Sequence, residues 1–301
     1  SLKMIDNMNI LTFDIEEWFI EKKYHGGRKE KYTEFDAVLD NILNLLDEVN
    51  TKATFFCLGE MVNGFSYVIK KIENRGHEIG CHSNKHMWLN KLSYEEVRED
   101  TSSAIDNLEQ CIGNKVISYR APAFSIGESN KWAFEILSSS GIERDASVFP
   151  ATRDFGGFSS FKSKVPSLLS CNGSIIKEFP ISTIKLFGNE IAYSGGGYFR
   201  FFPLSFIQKQ MKLQPYTMTY FHIGDLITET EGLMTKEEFE RYFKEDGNLL
   251  NRYKRYIKST LGTKGAYLKL SELISSNDFI NLEQADSAID WNLMPKIELK
   301  W

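Results

Sequence analysis

The chain has 301 residues, 42% of them hydrophobic and 26% charged, with a formal net charge of −5. That length accommodates one large α/β domain or two ordinary ones, and the composition is that of a globular protein. A mildly acidic chain with no basic block excludes nucleic acid as the main partner, and no apolar run reaches the roughly 18 residues of a membrane span.

Strand-like and helix-like segments alternate through the first half. Residues 9–13 read as a strand that ends in the carboxylates Asp14, Glu16 and Glu17. Asp36 through Val49 has helical spacing, with Val38, Leu39, Ile42, Leu45, Leu46 and Val49 on one face. A buried strand at 53–58 and a helix to about Arg75 follow, and Gly76 separates that helix from a strand at 77–81. Ser93 and Glu96 form a capping box that opens a helix to about Cys111. A strand at 116–119 and a helix at 130–139 come next. Such alternation implies a parallel sheet with crossover helices, and this many units favour a closed or distorted (β/α) barrel.

The regularity fades after Pro150. Residues 151–172 read as a long loop, and 174–180 as a strand. The run Gly195-Gly196-Gly197 reads as a tight turn; no Lys-Ser/Thr follows it, so it is not a phosphate loop. A helix covers about 203–211, and a second capping box, Thr235 to Glu238, begins a long helix with an aromatic and basic face. The expected organisation is a single domain over 1–301, with a barrel core at about 9–226 and a helical extension at about 227–301. Four cysteines without a C-x-x-C pair read as buried free thiols in a reducing compartment. The N-terminus shows no signal-peptide pattern, which gives a cytoplasmic expectation.

Three of the five histidines carry the chemistry. His82 and His86 follow the 77–81 strand, and His222 ends a strand-like run at 218–221. With the carboxylates after the first strand they make a His-His-carboxylate set, three protein ligands with one position left for water. All lie at or beyond strand ends, where parallel α/β barrels assemble their sites. Each residue alone also fits a structural role: Asp14 as a cap, Arg120 as an ion-pair partner, His222 as a hydrogen-bonded core histidine. Within a strand, residues 14 and 16 share a face that 17 does not, so Glu16 is preferred to Glu17 as the carboxylate ligand.

The ordered set Thr12-Phe13-Asp14, Ala53-Thr54-Phe55-Phe56, His82-x3-His86, Arg120-Ala121-Pro122, Asp145-Ala146-Ser147 and His222 resembles the polysaccharide deacetylase family, the NodB-homology group or carbohydrate esterase family 4. The resemblance spans about residues 9–226. Phe13-Asp14-Ile15-Glu16-Glu17-Trp18-Phe19 and the glycine run through Arg200 further resemble a subfamily of bacterial exopolysaccharide-locus deacetylases.

The resemblance implies a distorted barrel and metal-dependent removal of N- or O-acetyl groups from an acetylated carbohydrate. It implies Asp14 as general base, His82 and His86 as metal ligands, Arg120 orienting Asp14, and Asp145 orienting His222 as general acid. The metal is expected to be Zn²⁺, with Co²⁺ or Ni²⁺ as alternatives. The backbone N–H near Ala123 is the expected oxyanion donor. Trp18, Trp88 and Tyr198 are candidates to stack on sugar, and Arg200 to meet an acidic group. The chain departs from the family in having Glu16 where a second aspartate is usual, and Ile223-Gly224-Asp225 after His222, so that Asp225 could support His222 or contact substrate. The competing readings are a catalytically silent carbohydrate-binding protein and a metal-dependent amidase for a non-sugar substrate.

Overall fold

The computed structural model describes residues 5–228 and 232–301. Strand β1 (Met8–Ile10) runs into β2 (Thr12–Ile15), and β2 turns directly into helix α1 (Glu17–Tyr24). The expected helix at 36–49 starts earlier, as α2 (Lys29–Glu48). Then come β3 (Thr54–Cys57), α3 (Val62–Asn74), β4 (Glu78–Cys81), α4 (Tyr94–Ile112), β5 (Ser118–Tyr119), α5 (Ala133–Ser139) and β6 (Arg144–Asp145). The capping box at Ser93 forms as expected, with Glu96 N–H donating to the Ser93 hydroxyl, and α4 stops at Gly113 in the left-handed conformation.

The second half is less regular. β7 (Ser167–Cys171) and β8 (Ser174–Glu178) form an antiparallel hairpin, so the expected loop over 151–172 ends in a strand. A small hairpin of β9 (Thr183–Leu186) and β10 (Asn189–Ala192) follows. The glycine run does not stay a turn but starts α6 (Gly196–Phe201), ahead of α7 (Leu204–Leu213), β11 (Tyr216–Met218) and β12 (Phe221–His222). The helix expected from Thr235 is two: α8 (Lys236–Phe243) and α9 (Leu249–Thr260). Lys244 turns left-handed and ends α8, and a Cβ at Gly247 would lie 2.7 Å from the Lys236 carbonyl oxygen. α10 (Ala266–Ser276), α11 (Leu282–Ala288) and β13 (Lys296–Leu299) complete the chain. No helix among the described residues is long and apolar enough to cross a membrane.

The main sheet runs β12-β2-β3-β4-β5-β6-β8-β7-β13, parallel except for the β7–β8 pair. Beyond β8 the chain continues alongside the extension of β6, through Phe179 N–H to the Asp145 carbonyl and Ile181 N–H to the Val148 carbonyl. Ser182 then accepts from Met218 N–H of β11, and Gly195 bridges Tyr220. These links bring the flanks of the sheet together as a distorted barrel of α/β class.

Strand alternation sorts the side chains. Phe13, Phe55, Ile79 and Tyr119 join the core shared with the helices. The alternate residues form three layers. Thr54, Glu78, Ser118 and Arg144 lie at the N-terminal ends of the strands. Phe56 occupies the middle, joined by Gly80, where a Cβ would meet the Phe56 ring at 2.6 Å. Only glycine allows that approach. The third layer, at the C-terminal ends, contains Asp14, His82 and Arg120, with the Arg120 guanidinium 4.4 Å above the Phe56 ring.

Candidate metal centre

The Glu16 carboxylate is 2.7 Å from His86 Nε2 and 3.1 Å from His82 Nε2, all through Oε2. These three side chains are the group among the described residues whose ligand atoms converge as a metal site requires. Ligand atoms on a tetrahedral ion with bonds of about 2.0–2.1 Å lie about 3.3 Å apart, close to what is seen. His82 Nδ1 donates to the Arg120 carbonyl at 2.7 Å, so the neutral ring keeps the Nε2 lone pair for a metal, while the protonated ring donates from Nε2 to Glu16. The donor set therefore fits a divalent transition metal.

Glu16 reaches this position from the junction between β2 and α1, not from within the strand. Glu17 turns away and accepts from Gly224 N–H at 2.9 Å, tying the loop after β12 to the start of α1. Burial and then the charge of Glu16 push the Glu17 carboxyl up to about 7. Burial alone would raise Glu16 too, but His86, His222 and the hydrogen bonds from His82 and His86 hold it well below the usual range.

Arg120 and Asp14 meet with both side chains buried. Arg120 Nη1 donates to Asp14 Oδ1 at 3.1 Å and to Thr12 Oγ1 at 2.7 Å, and Nε donates to the Ala146 carbonyl. Asp14 Oδ2 points the other way, 4.0 Å from His82 Nε2 and 3.4 Å from His222 Nε2. His222 Nε2 is also 3.5 Å from Glu16 Oε1. The acid and base candidates thus face one cluster from strands that are hydrogen-bonded neighbours, β2 and β12, with His222 in register with Asp14.

Three sequence expectations are corrected. Asp145 does not brace His222: its carboxylate accepts from Ser147 N–H and Oγ–H, and Ser147 Oγ in turn accepts from Ala121 N–H, so Asp145 shapes the loop after β5. The partner of His222 is Asp225, with Nδ1 3.2 Å from Oδ2. Arg200 does not face a ligand; its side chain is 5% exposed and lies 3.5 Å from Asp225 Oδ1. Its other nitrogens donate to the carbonyls of Lys258, Ser259 and Leu261. Trp18 is fully buried, edge-on to Phe35 and donating to Asp36, which leaves no ring face for a sugar. Tyr198 is half-buried against the second core cluster.

Burial opposes protonation of His222, but Glu16, Asp225 and Asp14 outweigh it and hold the imidazole well above its ordinary value. Ala123 is half-buried, and its N–H makes no hydrogen bond among the described residues. Trp88, two residues beyond His86, is half-buried at the rim against Phe155. Ser83, His86, Ala123 and Phe124 all have φ between 51° and 68°. Left-handed backbone at non-glycine residues is costly and concentrates at functional sites; here it falls in the two loops that carry the histidines and follow Arg120.

Sequence reasoning missed Tyr242 on α8. Its ring packs edge-on against Tyr24 at 4.9 Å, and burial and then the charges of Glu16, Tyr24 and Glu17 push its hydroxyl up. Nothing local in the sequence links residues more than two hundred positions apart.

The polysaccharide deacetylase family profile matches residues 4–143, and a domain of unknown function, DUF3473, matches 146–286. Peptidoglycan-N-acetylglucosamine deacetylase of Bacillus cereus is 38% identical over 95 residues, 31% of this chain and 34% of the relative. Peptidoglycan-N-acetylmuramic acid deacetylase PdaA of Bacillus subtilis is 28% identical over 106 residues, 33% and 40% of the two chains. The chain thus spans between a third and two fifths of the length of these relatives. A crystal structure of a Mycobacterium smegmatis protein assigned to the polysaccharide deacetylases superposes with a TM-score of 0.63 at 16% identity, covering 98% of this chain and 93% of that one, which shows the shared fold. Residues 4–143 form a polysaccharide deacetylase domain of the NodB-homology, carbohydrate esterase family 4 type. The DUF3473 half fits the exopolysaccharide type that the first motif resembles. Asp145 and His222 lie beyond the matched deacetylase segment, in that second half.

Proposed function

We propose that this protein is a metal-dependent deacetylase that removes N- or O-acetyl groups from a carbohydrate, and that its 301 residues work as one domain. The observation that carries this reading is the convergence of Glu16, His82 and His86 with a braced aspartate and a carboxylate-bound histidine beside them.

Glu16, His82 and His86 are the residues that would hold the metal, with Zn²⁺ the ion this nitrogen-and-oxygen set suits. When bound, a divalent ion supplies Lewis acidity toward the acetyl carbonyl and acidity to water near neutral pH. Asp14 removes the proton of the attacking water through Oδ2, because Arg120 and Thr12 hold its other side in place. His222 holds a proton on Nε2 for the leaving amine or alkoxide, and Asp225 steadies that charge from Nδ1. The Ala123 N–H is an unengaged donor for the developing oxyanion. Trp88 at the rim supports a sugar-stacking role.

The test is metal analysis of the purified protein together with acetate release from acetylated glycans. About one equivalent of transition metal with acetate release supports the reading. Metal without turnover on any acetylated sugar favours the silent binding protein; turnover only on non-sugar amides favours the amidase.

A further inference from the structure

Helix α9 wears its apolar side chains on the outside. Leu249, Leu250, Tyr253 and Ile257 are 63%, 61%, 55% and 42% exposed, and Leu261, one residue past its end, is 52% exposed. At 3.6 residues per turn the five occupy an arc of about 120°. The opposite face is the one that attaches. Arg255 lies 4.0 Å over the Phe155 ring and 4.6 Å over Phe243, and Arg252 donates to the Gly247 and Met234 carbonyls. Arg200 holds the carbonyls at the C-terminal end. The helix is anchored with its apolar arc pointing away from the protein.

Charge accompanies that arc. Between Asp246 and Glu272 there is no acidic residue, while six basic ones occur, in a chain whose remainder carries 30 basic against 41 acidic side chains. Lys254 and Lys258 border the arc, and Lys264 follows it. Lys254 and Lys264 make no ion pair among the described residues; Lys258 pairs with Asp154. Long lysine stems at the edge of an apolar strip can lay their methylenes along it while the ammonium reaches outward. Phe201 is exposed and follows Arg200, whose guanidinium holds the Leu261 carbonyl.

We propose that α9 docks this protein on an anionic lipid bilayer, with Leu249, Leu250, Tyr253, Ile257 and Leu261 inserted at the interface and the bordering lysines against the headgroups. A basic amphipathic helix with an aromatic in its apolar arc has the composition for this, and lysines near such a surface are attracted to its anionic headgroups. A symmetric contact with a second copy is disfavoured by the same charges, since it would set like cations against each other.

The experiment is vesicle flotation of the full chain on phosphatidylcholine with and without phosphatidylglycerol, independent of turnover. The expected result is partition onto the phosphatidylglycerol vesicles that weakens with salt. Lys254→Glu with Lys264→Glu lowers it at least tenfold, and Leu250→Ser with Ile257→Ser abolishes it. Both pairs keep the wild-type melting temperature because the positions are exposed. Absence of flotation on either vesicle overturns the proposal, as does partition that neither pair changes. A wild-type dimer in light scattering that Leu250→Ser with Ile257→Ser makes monomeric would assign the face to a second copy instead. Retention on polyglutamate without vesicle binding would assign it to an acidic protein.

Discussion

The two ends of the same strands hold two charge clusters of opposite character. At the N-terminal ends, Arg144 contacts Glu78 at 2.7 Å and Asp286 at 3.1 Å, and Lys177 contacts Asp286 at 2.7 Å. Thr54 and Ser118 hydroxyls donate to the same Glu78 carboxylate. Two cations meet two anions, and the network fastens α11 under the barrel. At the C-terminal ends, Asp14, Glu16 and Asp225 face three histidines and two guanidinium groups, Arg120 against Asp14 and Arg200 against Asp225. The first cluster is complete within the chain. The second carries surplus carboxylate and lone-pair donors, which is the condition a divalent cation satisfies. In this barrel a balanced cluster holds the fold, and an unbalanced one sits at the strand ends where parallel α/β barrels assemble their sites.

Substitutions that act on one end should leave the other untouched. The largest effect is expected from His82→Ala with His86→Ala: metal content falls from about one equivalent to none and acetate release falls to background, while the melting temperature of the metal-free protein stays near that of metal-stripped wild type. Asp14→Asn should retain the metal and lose about 10²–10⁴-fold in kcat, at the scale of general base catalysis; full activity would remove Asp14 from its role. Arg144→Ala should cost about 3–5 kcal/mol in urea denaturation because Glu78 and Asp286 lose their buried partner, with metal affinity unchanged. Asp225→Asn should lower kcat by about 10²-fold and shift the basic limb of the pH profile down, since it removes charge that keeps His222 protonated.

The smallest effect concerns neither end. Buried His77 accepts the Ala53 N–H through Nδ1, and burial depresses it from 6.5 to about 4. Between those values the unfolded chain binds a proton that the folded one refuses. Stability should therefore fall by about 1–3 kcal/mol as pH drops from 6.5 to 4. His77→Asn, which keeps an acceptor, should flatten that part of the denaturation profile.

Much of the first half was legible because its strands are short apolar runs with turns between them and its candidate residues sit near their ends, Asp14 within β2 and Glu16, His82 and Arg120 one position past β2, β4 and β5. Glu16 was chosen over Glu17 by strand parity. In the structure Glu16 faces His82 and His86 although it lies just outside β2, because the chain turns only after that residue. The helper of His222 was misassigned because Asp145 and Asp225 both follow strand-like runs, and only tertiary packing shows that Ser147 claims the first. Trp18 looked like a rim aromatic by proximity to Glu16, but it lies on the helix face that packs against α2. The division into α8 and α9 was hidden because Lys244, which breaks it, is an ordinary helix former.

The order of the main sheet has a consequence for how the chain comes off the ribosome. Strands β2 to β5, all within the segment matched by the deacetylase profile, form a contiguous block, and both flanks of that block are completed later, by β12 on one side and β6 and β8 on the other. A nascent chain released as far as residue 143 would carry two raw hydrogen-bonding edges, each a template for a stranger. A gene fragment cut at the boundary between the two family profiles should therefore yield insoluble material, and the heritable unit is the whole barrel.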